Sequence, residues 1–375
     1  MAPALSHTAR RIALVIGSLQ GGGAERVAGI LAQGWRGRGH AVDLVTLEPG
    51  DAVPAYGLDP GLRVLRLDGT GPARNRLQAL ARELTNVRKL GLALRELRPD
   101  VVVSFLDQTN VLTLLACLGT GLPVVVAERS HPGHQPLGRA WRLLRRIVSP
   151  LAAALVIQTP EIGRWCRRFH ANIRVIPNPV LPAPASVQEP GPLILAAGRL
   201  SQEKGFDILI RAFSLLAGKH PQWSLRILGE GPQRGDLEAL VQSLGLRGRV
   251  FLPGWVPDLE RHWGQAQAFV LCSRWEGFPN ALCEAMAAGL ACVAADCPGG
   301  GPAAIIRQEV DGLLTPPNDP QALAGALDWL LSDRELRARL GVRAREVVER
   351  FSRDRVLDLW DQCLEQAVAR KQGGR

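Results

Sequence analysis

The chain is poor in rings: one tyrosine, and aromatic side chains making up 5% of 375 residues. The stacking residues that would interleave with basic ones on a nucleic-acid surface are therefore scarce. Long apolar runs are missing too. The longest, 111–127, is broken by Gly119-Thr120-Gly121-Leu122-Pro123 and reads as a helix, a turn and a strand, not as a membrane span. Residues 1–11 have no signal-peptide core, and the strand-like 12–17 is too short to serve as one. Cys117, Cys166, Cys272, Cys283, Cys292, Cys297 and Cys363 form no Cys-x-x-Cys pair. That argues against a disulfide framework or a zinc site and gives a reducing cytoplasm as the expected location. Neither a P-loop nor a Gly-x-Gly-x-x-Gly fingerprint occurs, which removes the usual signatures of a nucleotide triphosphatase and a dehydrogenase. No grouping suggests a Ser/His/Asp nucleophile.

Charge is present but unevenly placed. Residues 1–180 hold 23 Lys+Arg against 12 Asp+Glu, a net of +11, whereas residues 181–375 hold 22 against 23, a net of −1. The first half thus favours an anionic partner: nucleic acid, acidic lipid or a diphosphate. The length fits about two domains, each able to bury a core. Short apolar runs at 12–17, 41–47, 63–67, 101–105, 123–127, 154–158 and 173–176 alternate with helical patterns. A second series runs through 193–198, 224–228, 250–252, 268–271, 291–294 and 312–314. Such alternation predicts an α/β protein with a parallel sheet in each half. The proline-rich stretch 178–185 reads as the connection, and 353–369 as an amphipathic helix.

The segment with the most chemistry is Glu276-Gly277-Phe278-Pro279-Asn280-Ala281-Leu282-Cys283-Glu284. Pro279 and Asn280 suit the start of a helix, whose free N–H groups attract a phosphate. Glu284 lies about one turn in and Glu276 just before, both placed to accept sugar hydroxyls. Upstream, Gly198-Arg199-Leu200-Ser201-Gln202-Glu203-Lys204-Gly205 sets two cations, Arg199 and Lys204, at the end of a strand, where they suit a diphosphate. A glycine-rich turn, Gly21-Gly22-Gly23, follows the first strand and permits close backbone approach. Gly229, in Leu228-Gly229-Glu230-Gly231-Pro232, would let a nucleotide lie against backbone.

These motifs resemble glycosyltransferase family 4, the retaining enzymes of the two-domain GT-B fold. The likeness rests on Glu-x7-Glu with Gly-Phe-Pro-Asn inside it, the Gly-Arg-Leu…Lys-Gly segment, the glycine-rich loop and Gly312-Leu313-Leu314-x-Pro316, in family order over nearly the whole chain. It implies two Rossmann-like domains facing a central cleft: 1–180 for the acceptor, 181–352 for a nucleotide-diphospho-sugar, and 353–375 as a helix crossing back to the first. It further implies catalysis by Glu276, Arg199, Lys204 and His131. Donor contacts would come from Gly22, Gly23, Gly198, Arg199, Lys204, Gly229, Val256, Glu276, Gly277, Phe278, Pro279, Asn280 and Glu284. In Glu128-Arg129-Ser130-His131 the acceptor-side position is His131, Glu128 or Arg129. Where the family has Glu in its Asp-Cys-Pro-x-Gly-Pro-x-Glu-Ile segment, this chain has Ala304.

The absence of Asp-x-Asp argues against the metal-dependent sugar-nucleotide site of the other common transferase fold. No cofactor or metal is expected, and the nucleotide-sugar is a substrate. The resemblance implies a hexose or N-acetylhexosamine donor, UDP-linked by expectation, and a glycan acceptor on a lipid diphosphate. The basic amphipathic run 139–148 could meet an anionic membrane at its cytoplasmic face or be a solvated helix face. A non-hydrolysing sugar-nucleotide epimerase of the same fold and a basic anion- or nucleic-acid-binding protein are the alternatives.

Overall fold

The computed structural model describes residues 8–53, 57–69, 71, 75–134, 137–184, 190–257 and 259–373. Ala185, at the end of the proline-rich stretch, lies outside them. The chain divides into two compact units: 1–179 with 353–375, and 180–352.

The first unit alternates strand and helix from the start. It runs β1 (Arg11–Ile16), α1 (Gly23–Gly37), β2 (Ala41–Thr46), β3 (Arg63–Arg66), α2 (Arg76–Leu97) and β4 (Val101–Phe105). It continues with α3 (Asp107–Ala116), β5 (Val124–Ala127), α4 (Arg139–Val148), β6 (Ala154–Ile157), α5 (Pro160–Cys166) and β7 (Ile173–Val175). The sheet order is β3-β2-β1-β4-β5-β6-β7, and every pairing is parallel. β4 reads Val-Val-Val-Ser-Phe and is buried throughout, as a strand covered on both faces must be.

The second unit repeats the scheme. Its first part is β8 (Leu193–Ala197), α6 (Phe206–Leu216), β9 (Ser224–Leu228), α7 (Arg234–Ser243), β10 (Val250–Gly254), α8 (Glu260–Trp263) and β11 (Ala268–Leu271). Then come α9 (Asn280–Ala288), β12 (Ala291–Ala295), α10 (Gly301–Ile305), β13 (Leu313–Thr315), α11 (Pro320–Ser332), α12 (Arg334–Ala344) and α13 (Val347–Arg350). Its order, β10-β9-β8-β11-β12-β13, is again wholly parallel. In each sheet the strand order reverses beside the first strand, between β1 and β4 and between β8 and β11. Open parallel sheets bind ligands at that point, beyond the carboxyl ends of the strands.

Each sheet carries an apolar cluster on both faces. All seven cysteines are free and buried, consistent with small packing residues.

The last helix, α14 (Arg353–Gly373), belongs to the first unit. Trp360 is fully buried, edge-on to Trp35 and stacked on Phe105. Asp361 accepts from Trp35 Nε1 at 3.0 Å and from Arg38 Nη1 at 2.7 Å. The tail is thus fixed by an aromatic cluster and a buried carboxylate whose oxygens are both engaged.

On either side of the unit boundary the chain is bonded within its own unit. Asn178 is buried and accepts from Arg129 and Gln158, and Val180 N donates to Phe351 O at 2.8 Å. Val180 also forms an isolated parallel bridge with Ser352.

Candidate active site

In the second unit, three loops converge where the strand order reverses. The first leaves β8 through Gly198 and Arg199, makes a single 3-10 turn, Gln202–Lys204, and enters α6 at Gly205. Gly205 has φ +65°, and a Cβ there would strike the carbonyl oxygen of Cys272, so the position needs glycine on both counts. The second loop leaves β11 and carries Cys272 to Pro279 into α9. The third, after β12, holds Pro298 to Gly301.

The loops bring Lys204 and Glu276 together. The Lys204 ammonium donates to Glu276 Oε1 at 2.6 Å, and Ser273 Oγ donates to the same oxygen at 2.8 Å. The two side chains are 22% and 11% exposed, enough for a ligand to reach. Burial draws the Lys204 pKa down, but the Glu276 carboxylate more than offsets it, and the ammonium ends above the ordinary lysine value. Lys204 is therefore a fixed cation at neutral pH. Arg199 is exposed and makes no ion pair among the described residues.

The Glu276 backbone is clamped from behind. Its N–H donates to Pro298 O at 3.1 Å, and Gly299, with φ +104°, lies so close that a Cβ would strike Glu276 O. Gly277, Phe278 and Pro279 are buried, and Phe278 packs edge-on against Phe351. Pro279 precedes α9 as its N-cap, with no side-chain hydrogen bond to the first turn. Asn280 opens the helix, and Glu284 sits in its second turn, half-buried.

Gly229 also answers to a packing constraint. A Cβ there would strike Gly198 O, and one at Gly231 would strike Leu200 O, so these glycines let two protein loops touch. Leu200 N donates to Glu230 O at 2.8 Å, and Gly229 N to Gly254 O at 2.8 Å, which ties in the turn before Val256. Val256 is half-buried against the core.

Three residues that sequence reasoning missed brace this site. Besides Ser273, Arg274 donates to both Asp207 carboxylate oxygens at 2.9 and 2.8 Å, and to Gln202 O at 2.7 Å. Burial raises the Asp207 carboxyl pKa, but the Arg274 guanidinium overcomes that and holds it below the ordinary aspartate value. Only the tertiary pairing distinguishes these residues from ordinary loop polar groups.

In the first unit, the glycine-rich loop follows β1 and its Gly22 precedes α1. The Glu25 carboxylate folds back over Gly22. Burial raises the Glu25 pKa, its own backbone N–H lowers it, and Glu48 adds a further rise. Glu48, almost wholly buried, anchors the loop: its Oε2 accepts from Ser18 Oγ at 3.0 Å and Leu19 N at 2.8 Å.

The segment after β5 gives its three candidate residues three different chemistries. Glu128 is buried; burial and the neighbouring Asp107 push its carboxyl well above the usual range, with Arg145 pulling the other way. Arg129 lies 4.0 Å over the Phe105 ring and donates to Asn178 Oδ1 at 2.9 Å; burial lowers its pKa to about 9. His131 is buried, accepts from Gly133 N at Nδ1 (3.1 Å), and is held below the ordinary histidine pKa by burial and His134. A neutral His131 whose Nδ1 accepts carries its proton on Nε2.

The basic run 139–148 does not form one uniform basic face. Arg145 is buried, 3.4 Å from Asp107 and beneath Trp165 and Phe169, while Arg139, Arg142, Arg146, Leu143 and Ile147 are exposed. No helix among the described residues is long and apolar enough to cross a membrane.

Two family models match the chain in tandem: "Glycosyl transferase 4-like domain" over residues 22–179 and "Glycosyl transferases group 1" over 181–347. A Campylobacter jejuni protein is 28% identical over 361 residues, covering 93% of this chain and 97% of that protein. It is named GalNAc-alpha-(1->4)-GalNAc-alpha-(1->3)-diNAcBac-PP-undecaprenol alpha-1,4-N-acetyl-D-galactosaminyltransferase. An exopolysaccharide phosphotransferase of Streptomyces coelicolor is 33% identical over 290 residues, 76% of this chain, but the match spans only 30% of that longer protein. Among solved structures, sucrose-phosphate synthase from Thermosynechococcus elongatus superposes with a TM-score of 0.82 at 22% identity, covering 96% of this chain and 99% of that one. Anabaena HepE in complex with UDP gives 0.75 at 19% identity, covering 95% of this chain and 99% of that one.

Proposed function

The chain belongs to the glycosyltransferases, a 4-like domain followed by a group 1 domain in the GT-B fold, and we propose that it is a retaining enzyme of cell-surface glycan assembly. The donor would be a hexose or N-acetylhexosamine on a nucleoside diphosphate, with uracil as the base. The observation that carries this is the Lys204–Glu276 contact at 2.6 Å, with Glu284 eight positions on in α9. A cation beside a hydroxyl-accepting carboxylate suits a diphosphate joined to a sugar.

In the proposed reaction the acceptor oxygen bonds to the anomeric carbon on the face from which the diphosphate departs. The bond from that carbon to the phosphate oxygen breaks, and the acceptor proton passes to the leaving phosphate. Lys204, Arg199 and the start of α9 stabilise the charge that develops there. Glu276 holds sugar hydroxyls and Glu284 those of the ribose. No metal enters the scheme. The UDP-bound HepE neighbour supports a uracil base by analogy, and the Campylobacter relative's name supports a polyprenol-diphosphate-linked acceptor.

The exposed Arg139, Arg142 and Arg146 beside Leu143 and Ile147 favour contact of α4 with an anionic membrane surface. Flotation with anionic liposomes at physiological salt tests that part, and failure to float removes it.

The whole reading is tested by thermal shift against UDP, GDP and ADP, followed by Glu284→Ala and Glu276→Ala. One diphosphate should stabilise the protein, Glu284→Ala should weaken that effect, and Glu276→Ala should chiefly lower turnover. No shift at millimolar ligand, or unchanged behaviour of both variants, sinks it.

A further inference from the structure

We propose that Arg274 is a positioning residue that sets Lys204 against the diphosphate, acting through the backbone of the 202–204 turn. The inference rests on the donor-site reading above.

A lysine side chain is long and flexible, so where its ammonium can dwell depends on where its Cα is held. The Cα of Lys204 lies on a single 3-10 turn, which has poor internal hydrogen bonding. Support comes from the segment after β11. Gln202 O accepts from Arg274 Nη1 at 2.7 Å, Glu203 O from Arg274 N at 2.7 Å, and Lys204 O from Cys272 Sγ at 3.1 Å. Three successive carbonyls of the turn are thus held by Cys272 and Arg274, and the next residue, Gly205, packs on Cys272 O.

The guanidinium is itself fixed by the two-point contact with Asp207, in the first turn of α6. Arg274 therefore joins the turn before α6 to the segment that two residues later carries Glu276. It holds both ends of the Lys204–Glu276 contact while its own hydrogen bonds go to Gln202, Glu203 and Asp207. A planar fork that serves two oxygens of Asp207 and one backbone carbonyl cannot be reproduced by an ammonium, so lysine is a poor substitute here.

The test compares UDP with UMP by calorimetry, with GDP/GMP and ADP/AMP alongside. The variants are Lys204→Ala, Arg274→Met, Arg274→Lys, Asp207→Asn and the double variant Lys204→Ala/Arg274→Met. UMP lacks the second phosphate, so its affinity reports the rest of the site and the integrity of the fold. Arg274→Met should leave UMP binding within about twofold and cut the preference for UDP over UMP about tenfold. Arg274→Lys should recover little of it, and Asp207→Asn should fall between wild type and Arg274→Met. In the Lys204→Ala background, Arg274→Met should change the preference no further, because its route to the phosphate is gone.

Three results overturn the proposal: Arg274→Met keeping the wild-type preference, Arg274→Met losing UMP and UDP alike, or an undiminished effect of Arg274→Met on top of Lys204→Ala. Failure of the donor-site reading looks different. There the wild type itself shows no diphosphate preference, or Lys204→Ala leaves it intact, and the role of Arg274 falls with it.

Discussion

Lys204 and Glu276 are each other's partner, ammonium to carboxylate at 2.6 Å, with Ser273 sharing the same carboxylate oxygen. In the proposed reaction the one serves phosphate and the other sugar, so a bound diphosphate must compete with Glu276 for the cation. Glu276→Gln removes that competition and keeps the shape. UDP should bind about twofold to fivefold more tightly, the scale of a partly exposed charge pair, while transfer falls about a hundredfold or more. Calorimetry beside a transfer assay checks both arms, and weaker UDP binding would refute the competition.

Glu128 supplies a pH dependence with a definite sign. Its carboxyl titrates higher in the folded chain than in the unfolded one, so between the ordinary glutamate pKa and the elevated one the folded state holds a proton that the unfolded state has released. Stability contributed at this position is present at low pH and lost as pH rises through the elevated pKa. Glu128→Gln, neutral at every pH, should melt higher than wild type at neutral and alkaline pH, with the gap closing toward pH 4. A gap that stays constant across that range would show that Glu128 does not carry the effect.

Gly299→Ala puts a methyl group against Glu276 O at a φ of +104°. Backbone strain of this kind costs about 2–3 kcal/mol, which for a unit of this size lowers Tm by roughly 5–10 °C. Transfer should fall even at temperatures where the variant is folded, because the displaced peptide carries Glu276. Calorimetric melting and activity at 20 °C separate the two effects. Wild-type values in both would mean that the neighbouring loop yields freely.

Charge stabilisation in the proposed scheme comes from Lys204, Arg199 and the start of α9. Transfer should therefore persist, within about twofold, after dialysis against excess EDTA. A loss restored by added divalent cation would assign the leaving group to a metal instead.

Much of the fold could be read from the sequence because buried parallel strands are short apolar runs with abrupt ends. β4, β9 and β11 lie where those runs place them, at 101–105, 224–228 and 268–271. Lys204 and Glu276 were each visible as a charged residue at the end of such a run, but their direct contact was not, since 72 positions separate them. Arg274 and Asp207 carry no local signature, and their meaning lies in carbonyls of another loop. A Cβ at Gly229 would strike Gly198 O, a contact between two loops that no local pattern in the sequence displays. Arg145 looked like one more member of a basic face, yet it points inward to Asp107, because a run with arginines at 139, 142, 145 and 146 does not itself show which side of the helix is covered.

Val180 and Ser352, joined by a parallel bridge, are the first and last residues of the second unit. That unit is consequently one uninterrupted length of chain whose two ends touch, inserted into a host that is discontinuous in sequence. A gene segment spanning 180–352 could be exchanged for its counterpart from a relative through two neighbouring splice points, without rethreading either sheet.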